Sequence, residues 1–233
     1  MDELVTRENL SPNWDERTLP VNMVVLHYTG MPTGEEAEAR LVDPEAKVSA
    51  HYLIYENGEV VRLVPEDKRA WHAGRSYWRG ISDVNSASVG IELVNPGHEF
   101  GYREFPESQI EALVPLLHRI RETWNIPRAN VVGHSDVAPA RKDDPGELFP
   151  WHLLARYGLA LAVPKPSMRL LYDNPGAFYL ALERFGYDIA DGRAAVRAFQ
   201  RRWRPSLIDG EIDGHIGALL FELLLERDMG RAR

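Results

Sequence analysis

Three short apolar runs constrain this chain more than any other feature. They are VNMVVLHY at 21–28, SVGIELV at 88–94 and NVVG at 130–133, and each reads as a buried strand that delivers a polar residue at or near its end. Those residues are His27, Glu92 and His134. In 88–94 the alternation is strict: Val89, Ile91 and Leu93 share one face, Gly90 and Glu92 the other. HYLIYENGEVVRLV at 51–64 reads as a hairpin, because Asn57-Gly58 supplies the positive-φ positions of a tight turn. Residues 107–124 space Ile110, Leu113, Val114, Leu117, Ile120 and Trp124 as one helix face, with Pro115 expected to kink or split it. Strands separated by a helix predict an α/β (α+β) unit over residues 1–160, with a mixed central sheet flanked by helices.

Two prolines in AVPKPS at 162–167 mark a linker, placed at 161–170. Residues 171–233 read as a small all-α unit. Asn174 caps a helix that starts at Pro175 and stops at Gly186, a second helix covers Ala194 to Trp203, and a third follows Asp213 through LLFELLLE. Three short helices bury too little surface to be secure alone, so this unit should lean on the first. The apolar excess of LLFELLL fits burial between the two units, with a dimer contact as the alternative.

Composition excludes several function classes. Asp and Glu outnumber Lys and Arg 35 to 27, for a net charge of -8, which disfavours a nucleic-acid or anionic-lipid partner. The absence of cysteine removes disulfides, thiolate nucleophiles and Cys-based zinc sites. No apolar run reaches the ~18 residues of a membrane span. The opening MDELVTRENLSPNWDERTLP lacks a secretory apolar stretch, so the chain as written reads as cytoplasmic, and as periplasmic or cell-envelope if a leader was removed or export is non-standard.

Two histidines from different strands and one carboxylate would furnish a catalytic zinc site with an open position. GHSDVAPARKDDPGELFPW at 133–151 offers Asp136, Asp143 and Asp144, and spacing does not choose among them. His134 and Asp136 also match the start of an iron facial triad. Asp143 and Asp144 point to opposite sides of an extended loop, whereas Lys142 and Asp144 share a side.

VVLHYTG, SAHYLIYENGEVVRLVPEDKRAWHAG, SVGIELVNPG and GHSDVAPARKDDPGELFPW together resemble the zinc-dependent N-acetylmuramoyl-L-alanine amidases of the type-2 amidase family, in the branch that contains AmpD and AmiD. The likeness spans nearly all of residues 11–155, with the blocks in order. LERFGYDIADGRAAVRAFQRRWRPSLIDGEIDG resembles a helical peptidoglycan-binding module, although HIGAL departs from that pattern and leaves its glycan contacts unassigned.

The first resemblance implies one zinc ion per chain held by His27, His134 and Asp144, with Glu92 as general base and Lys142 stabilising the transition state. It implies hydrolysis of the amide between the lactyl group of N-acetylmuramic acid and L-alanine, on peptidoglycan or muropeptides including 1,6-anhydro forms. The helical module favours polymer, and the missing signal sequence favours soluble recycling products. His51, Trp71, His72 and Asn95 join the candidate set as substrate contacts, while Asn85 reads as a turn residue. Asp136 reads as a turn cap or a partner of His134, and His98, His118, His152 and His215 as structural.

Two rivals stand beside this reading. One is a non-catalytic peptidoglycan-recognition protein on the same fold, which would typically lack part of the metal set. The other is an iron oxygenase, whose usual all-β double-sheet barrel conflicts with the helix at 107–124.

Overall fold

The computed structural model describes residues 3–166 and 175–228. Its strands are β1 (Arg7–Glu8), β2 (Trp14–Glu16), β3 (Met23–Tyr28), β4 (Tyr52–Ile54), β5 (Val60–Arg62), β6 (Lys68–Ala70), β7 (Ser88–Leu93) and β8 (Val131–Gly133). The helices are α1 (Gly34–Val42), α2 (Val84–Ala87), α3 (Gly97–Phe100), α4 (Glu107–Trp124), α5 (His134–Val137), α6 (Trp151–Arg156), α7 (Pro175–Phe185), α8 (Gly192–Trp203) and α9 (Gly214–Asp228). The main sheet runs β1-β5-β4-β7-β3-β8, and β2 pairs with β6 apart from it. β4, β7, β3 and β8 are mutually parallel, and β5 is antiparallel to β4. The mixed α/β architecture is the one expected from the sequence.

Burial on both faces explains why β3 is apolar from Met23 to Leu26. Val24 and Leu26 enter a core with Leu113, Leu117 and Ile120 of α4, while Met23 and Val25 enter the opposite core. Each of those fully buried α4 side chains contributes about 1.5–3 kcal/mol of burial. The second core also holds Phe178 and Leu182 of α7, Phe199 of α8 and Leu219, Leu220 and Leu223 of α9. The helices α7 to α9 therefore form one layer over the sheet, and Leu219, Leu220, Leu223 and, partly, Leu224 of LLFELLL pack into that shared core while Phe221 and Leu225 stay exposed.

Two local expectations need adjustment. α4 runs unbroken through Pro115, which is exposed, as is Glu111, whose carbonyl the proline leaves without a helical partner. The β4–β5 hairpin forms, but only Gly58 adopts positive φ (88°), after a turn closed by Gly58 N–H donating to the Tyr55 carbonyl at 2.9 Å. The cap expected at Asn174 and residues 167–170 of the expected linker lie outside the described residues. Asp213 does cap α9, accepting from the Ile216 N–H at 3.0 Å. Among the described residues no helix is long and apolar enough to cross a membrane.

Candidate metal centre

Parallel register brings the polar strand ends together. His27 of β3 lies opposite Glu92 of β7, and Leu26 lies opposite Gly133 of β8, so His134 follows at the same level on the other side. These are the carboxyl ends of adjacent parallel strands, where open α/β sheets bind ligands. Asp144 arrives on the loop after α5, its carbonyl accepting from the Ser135 N–H at 2.8 Å.

His27 Nδ1 is 2.9 Å from His134 Nδ1, and Asp144 Oδ2 is 3.1 Å from the first and 3.0 Å from the second. All three side chains are buried. Their outer partners assign the tautomers. His134 Nε2 faces the Ala73 carbonyl at 3.1 Å, which only accepts, so Nε2 carries the hydrogen. Ser88 Oγ donates to the Val84 carbonyl at 2.5 Å and so accepts from His72 Nε2 at 3.1 Å. His72 Nδ1 is then the acceptor for His27 Nε2 at 3.0 Å. Both Nδ1 atoms of the neutral rings therefore point lone pairs at each other and at a carboxylate. Such a convergence is repulsive without a cation and suits a divalent one.

Electrostatics keep the donors in their ligating forms. Burial, and next the adjacent His134 ring, outweigh the pull of Asp144 and lower His27 to about 4. Burial works to raise the Asp144 carboxyl, but His134 and His27 outweigh it and hold it below the usual carboxylate range. Burial, then the charge of Asp144, push Glu92 well above the ordinary carboxylate range, with Lys142 opposing. Glu92 Oε2 is buried and has no hydrogen-bond partner among the described residues. Glu92, Lys142, Trp71 and His72 line the same cleft of about 400 Å³ as His27, His134 and Asp144.

Other candidates fall elsewhere. His51 is fully buried beneath His72, accepting from the Gly90 N–H at 2.9 Å and facing the Lys68 carbonyl at 3.0 Å, so it does not reach the cleft. Asn95 is also fully buried, donating to the Arg103 carbonyl and accepting from the Gly97 N–H. Asp136 faces away from the histidine pair, accepting from the Gly133 N–H at 2.8 Å, Tyr187 Oη at 2.5 Å and Arg202 Nη1 at 2.6 Å. With Asp136 committed there, and with a six-stranded mixed sheet flanked by helices where that chemistry uses a double-sheet barrel, the iron-oxygenase alternative fails.

Sequence reasoning missed three residues. His98 lies on the cleft rim, 3.0 Å from Tyr28 Oη and 3.1 Å from Glu147, stacked on Tyr102. Asn85 braces the His72 loop, its Oδ1 accepting from the His72 and Ala73 N–H groups at 3.1 and 2.7 Å. Gly90 carried a signal: it shares the Glu92 face, and a Cβ there would lie 2.4 Å from the His72 ring. Gly90→Ala is therefore expected to push His72 off His27 and to destabilise the fold by about 1–3 kcal/mol, as overpacking does. Urea denaturation measures the loss, and a variant as stable as the wild type would show that His72 does not need the glycine.

Residues 17–147 match the family described as N-acetylmuramoyl-L-alanine amidase, Amidase_2. The chain is 38% identical to the N-acetylmuramoyl-L-alanine amidase AmiD of Escherichia coli, over 89% of this chain and 83% of the relative. An E. coli AmiD structure in complex with anhydro-N-acetylmuramic acid-L-Ala-D-gamma-Glu-L-Lys superposes with a TM-score of 0.77 at 36% identity, covering 91% of this chain and 92% of that one. AmpDh3 of Pseudomonas aeruginosa, in complex with anhydromuramic pentapeptide, gives 0.78 at 30% identity, covering 94% and 98%.

Proposed function

This chain belongs to the N-acetylmuramoyl-L-alanine amidase family and is an amidase of cell-wall material, and we propose that it works with one zinc ion held by His27, His134 and Asp144. The bond cleaved joins the lactyl group of N-acetylmuramic acid to L-alanine, and the relatives' anhydro-muramyl peptide complexes support 1,6-anhydro muropeptides as substrates. We divide the chain into a catalytic domain at 1–160, a linker at 161–170 and a peptidoglycan-binding-like unit at 171–233.

The observation that carries the metal reading is the meeting of two imidazole lone pairs and a carboxylate, with both outer nitrogens already spent as donors. Bound there, the ion supplies Lewis-acid polarisation of a carbonyl and makes water more acidic. Glu92 takes the proton of the attacking water and returns it to the alanine nitrogen as the C–N bond breaks. Its burial and raised proton affinity suit it to hold that proton between the two transfers. The Lys142 ammonium faces the carbonyl oxygen as it gains charge, a role whose removal typically costs about 10²–10³ in rate. Trp71 and His72 are the substrate contacts we retain, both from the cleft wall.

Incubation with insoluble sacculi and, separately, with soluble 1,6-anhydro-muropeptides, each with and without a chelator, tests the substrate class. Chelator-sensitive release of the stem peptide from the soluble substrate is expected. Release from sacculi as well would support work on the polymer in the cell envelope; cleavage of soluble material alone would support cytoplasmic recycling.

A further inference from the structure

α8 meets α5, which opens on His134, and the loop that carries Asp144 with a pair of consecutive arginines. Neighbouring helical residues diverge by about 100°, so each side chain reaches a different segment. The Arg202 side chain is 5% exposed. Its Nη1 donates to Asp136 Oδ2 at 2.6 Å and its Nη2 to the Val131 carbonyl at 2.9 Å. Its guanidinium lies 3.9 Å from the Trp151 ring centre and 4.6 Å from that of Trp203. Tyr187, just beyond α7, holds the other Asp136 oxygen at 2.5 Å. Asp136 in turn accepts from the N–H of Gly133, the residue before His134. The His134 turn is thus fixed on both sides. Arg201 Nη2 lies 2.5 Å from Asp143 Oδ1, on the residue before Asp144.

A buried ion pair is an inefficient way to gain stability, because desolvation offsets most of the attraction. Its value here lies in location. The arginine pair, with Tyr187, fixes residues flanking two of the three converging donors, and a metal site tolerates errors of only about 0.5 Å. We propose that Arg201, Arg202 and Tyr187 are positioning residues for the metal-ligand set, so that the C-terminal helices form part of the catalytic scaffold in addition to any wall contact they make. This rests on the zinc reading above.

The test uses the full chain with Arg201→Gln, Arg202→Lys and Tyr187→Phe, and Leu182→Ala as a control that perturbs the same core without removing a side-chain hydrogen bond or ion pair. Arg202→Lys keeps the charge but lacks the planar fork that bridges two acceptors. Zinc affinity by chelator competition, the visible absorption of the cobalt(II)-substituted protein, kcat, KM and Tm are measured for each. The two arginine variants are expected to bind zinc about 10-fold or more weakly. They should also shift the cobalt bands and lower kcat with KM nearly unchanged. Leu182→Ala should lower Tm while leaving zinc affinity and the cobalt bands as in the wild type. Should Arg202→Lys fail to fold, Arg201→Gln and Tyr187→Phe decide the matter by the same readouts. Wild-type zinc affinity and cobalt spectra in these variants, whatever their Tm, would overturn the proposal and leave the zinc reading intact. A wild-type chain that binds no zinc would overturn both.

Discussion

Glu92→Gln is expected to retain one zinc per chain and to lose about 10²–10⁴ in kcat, the usual contribution of a placed general base. The amide keeps the size of the side chain, and Glu92 is not among the three converging donors, so the metal has no reason to leave. What disappears is the group that stores the proton between water and the departing nitrogen. Glu92 is placed for that work by the register that sets it opposite His27, and its free oxygen has no partner among the described residues to compete for the proton. Metal content by plasma emission and single-turnover cleavage of a 1,6-anhydro-muropeptide test this together. Parallel loss of zinc and turnover would instead make Glu92 a structural support for the metal.

Asp144→Ala has the larger expected effect on the metal. It removes one of three donors and the only formal negative charge among them, leaving two neutral imidazoles. Zinc affinity should fall by more than the about 100-fold that loss of an outer partner can cost, and activity should drop to background. Asp136→Ala should weaken zinc less, because Asp136 acts only through the Gly133 N–H and the turn that presents His134. Complete zinc loss in Asp136→Ala, with retention in Asp144→Ala, would show that the ligand assignment has the two aspartates reversed.

Much of this arrangement is legible in the sequence where periodicity and chemistry coincide. The runs ending in His27 and His134, and the alternation around Glu92, announce strands buried on at least one face, and parallel pairing then sets the three polar groups side by side. Spacing alone leaves Asp136 and Asp144 equivalent. The distinction depends on Tyr187 and Arg202, 51 and 66 residues beyond Asp136. His98 illustrates the same limit: its partner Tyr28 is 70 residues away, so nothing near His98 signals the cleft. His51 and Asn95 sit beside the right motifs, yet their polar atoms serve backbone groups of neighbouring segments, a use that local sequence does not reveal. The two- and three-residue strands β1, β2 and β6 are too short to show a period; pairing defines them, β1 with β5 and β2 with β6.

Metal analysis of the purified chain, run beside hydrolysis of a soluble 1,6-anhydro-muropeptide before and after chelation and zinc repletion, tests the central claim most directly. The expected result is zinc near one equivalent, with cleavage at the lactyl–alanine amide that vanishes with the metal and returns with it. A chain that takes up no zinc and leaves the amide intact after repletion would contradict the account.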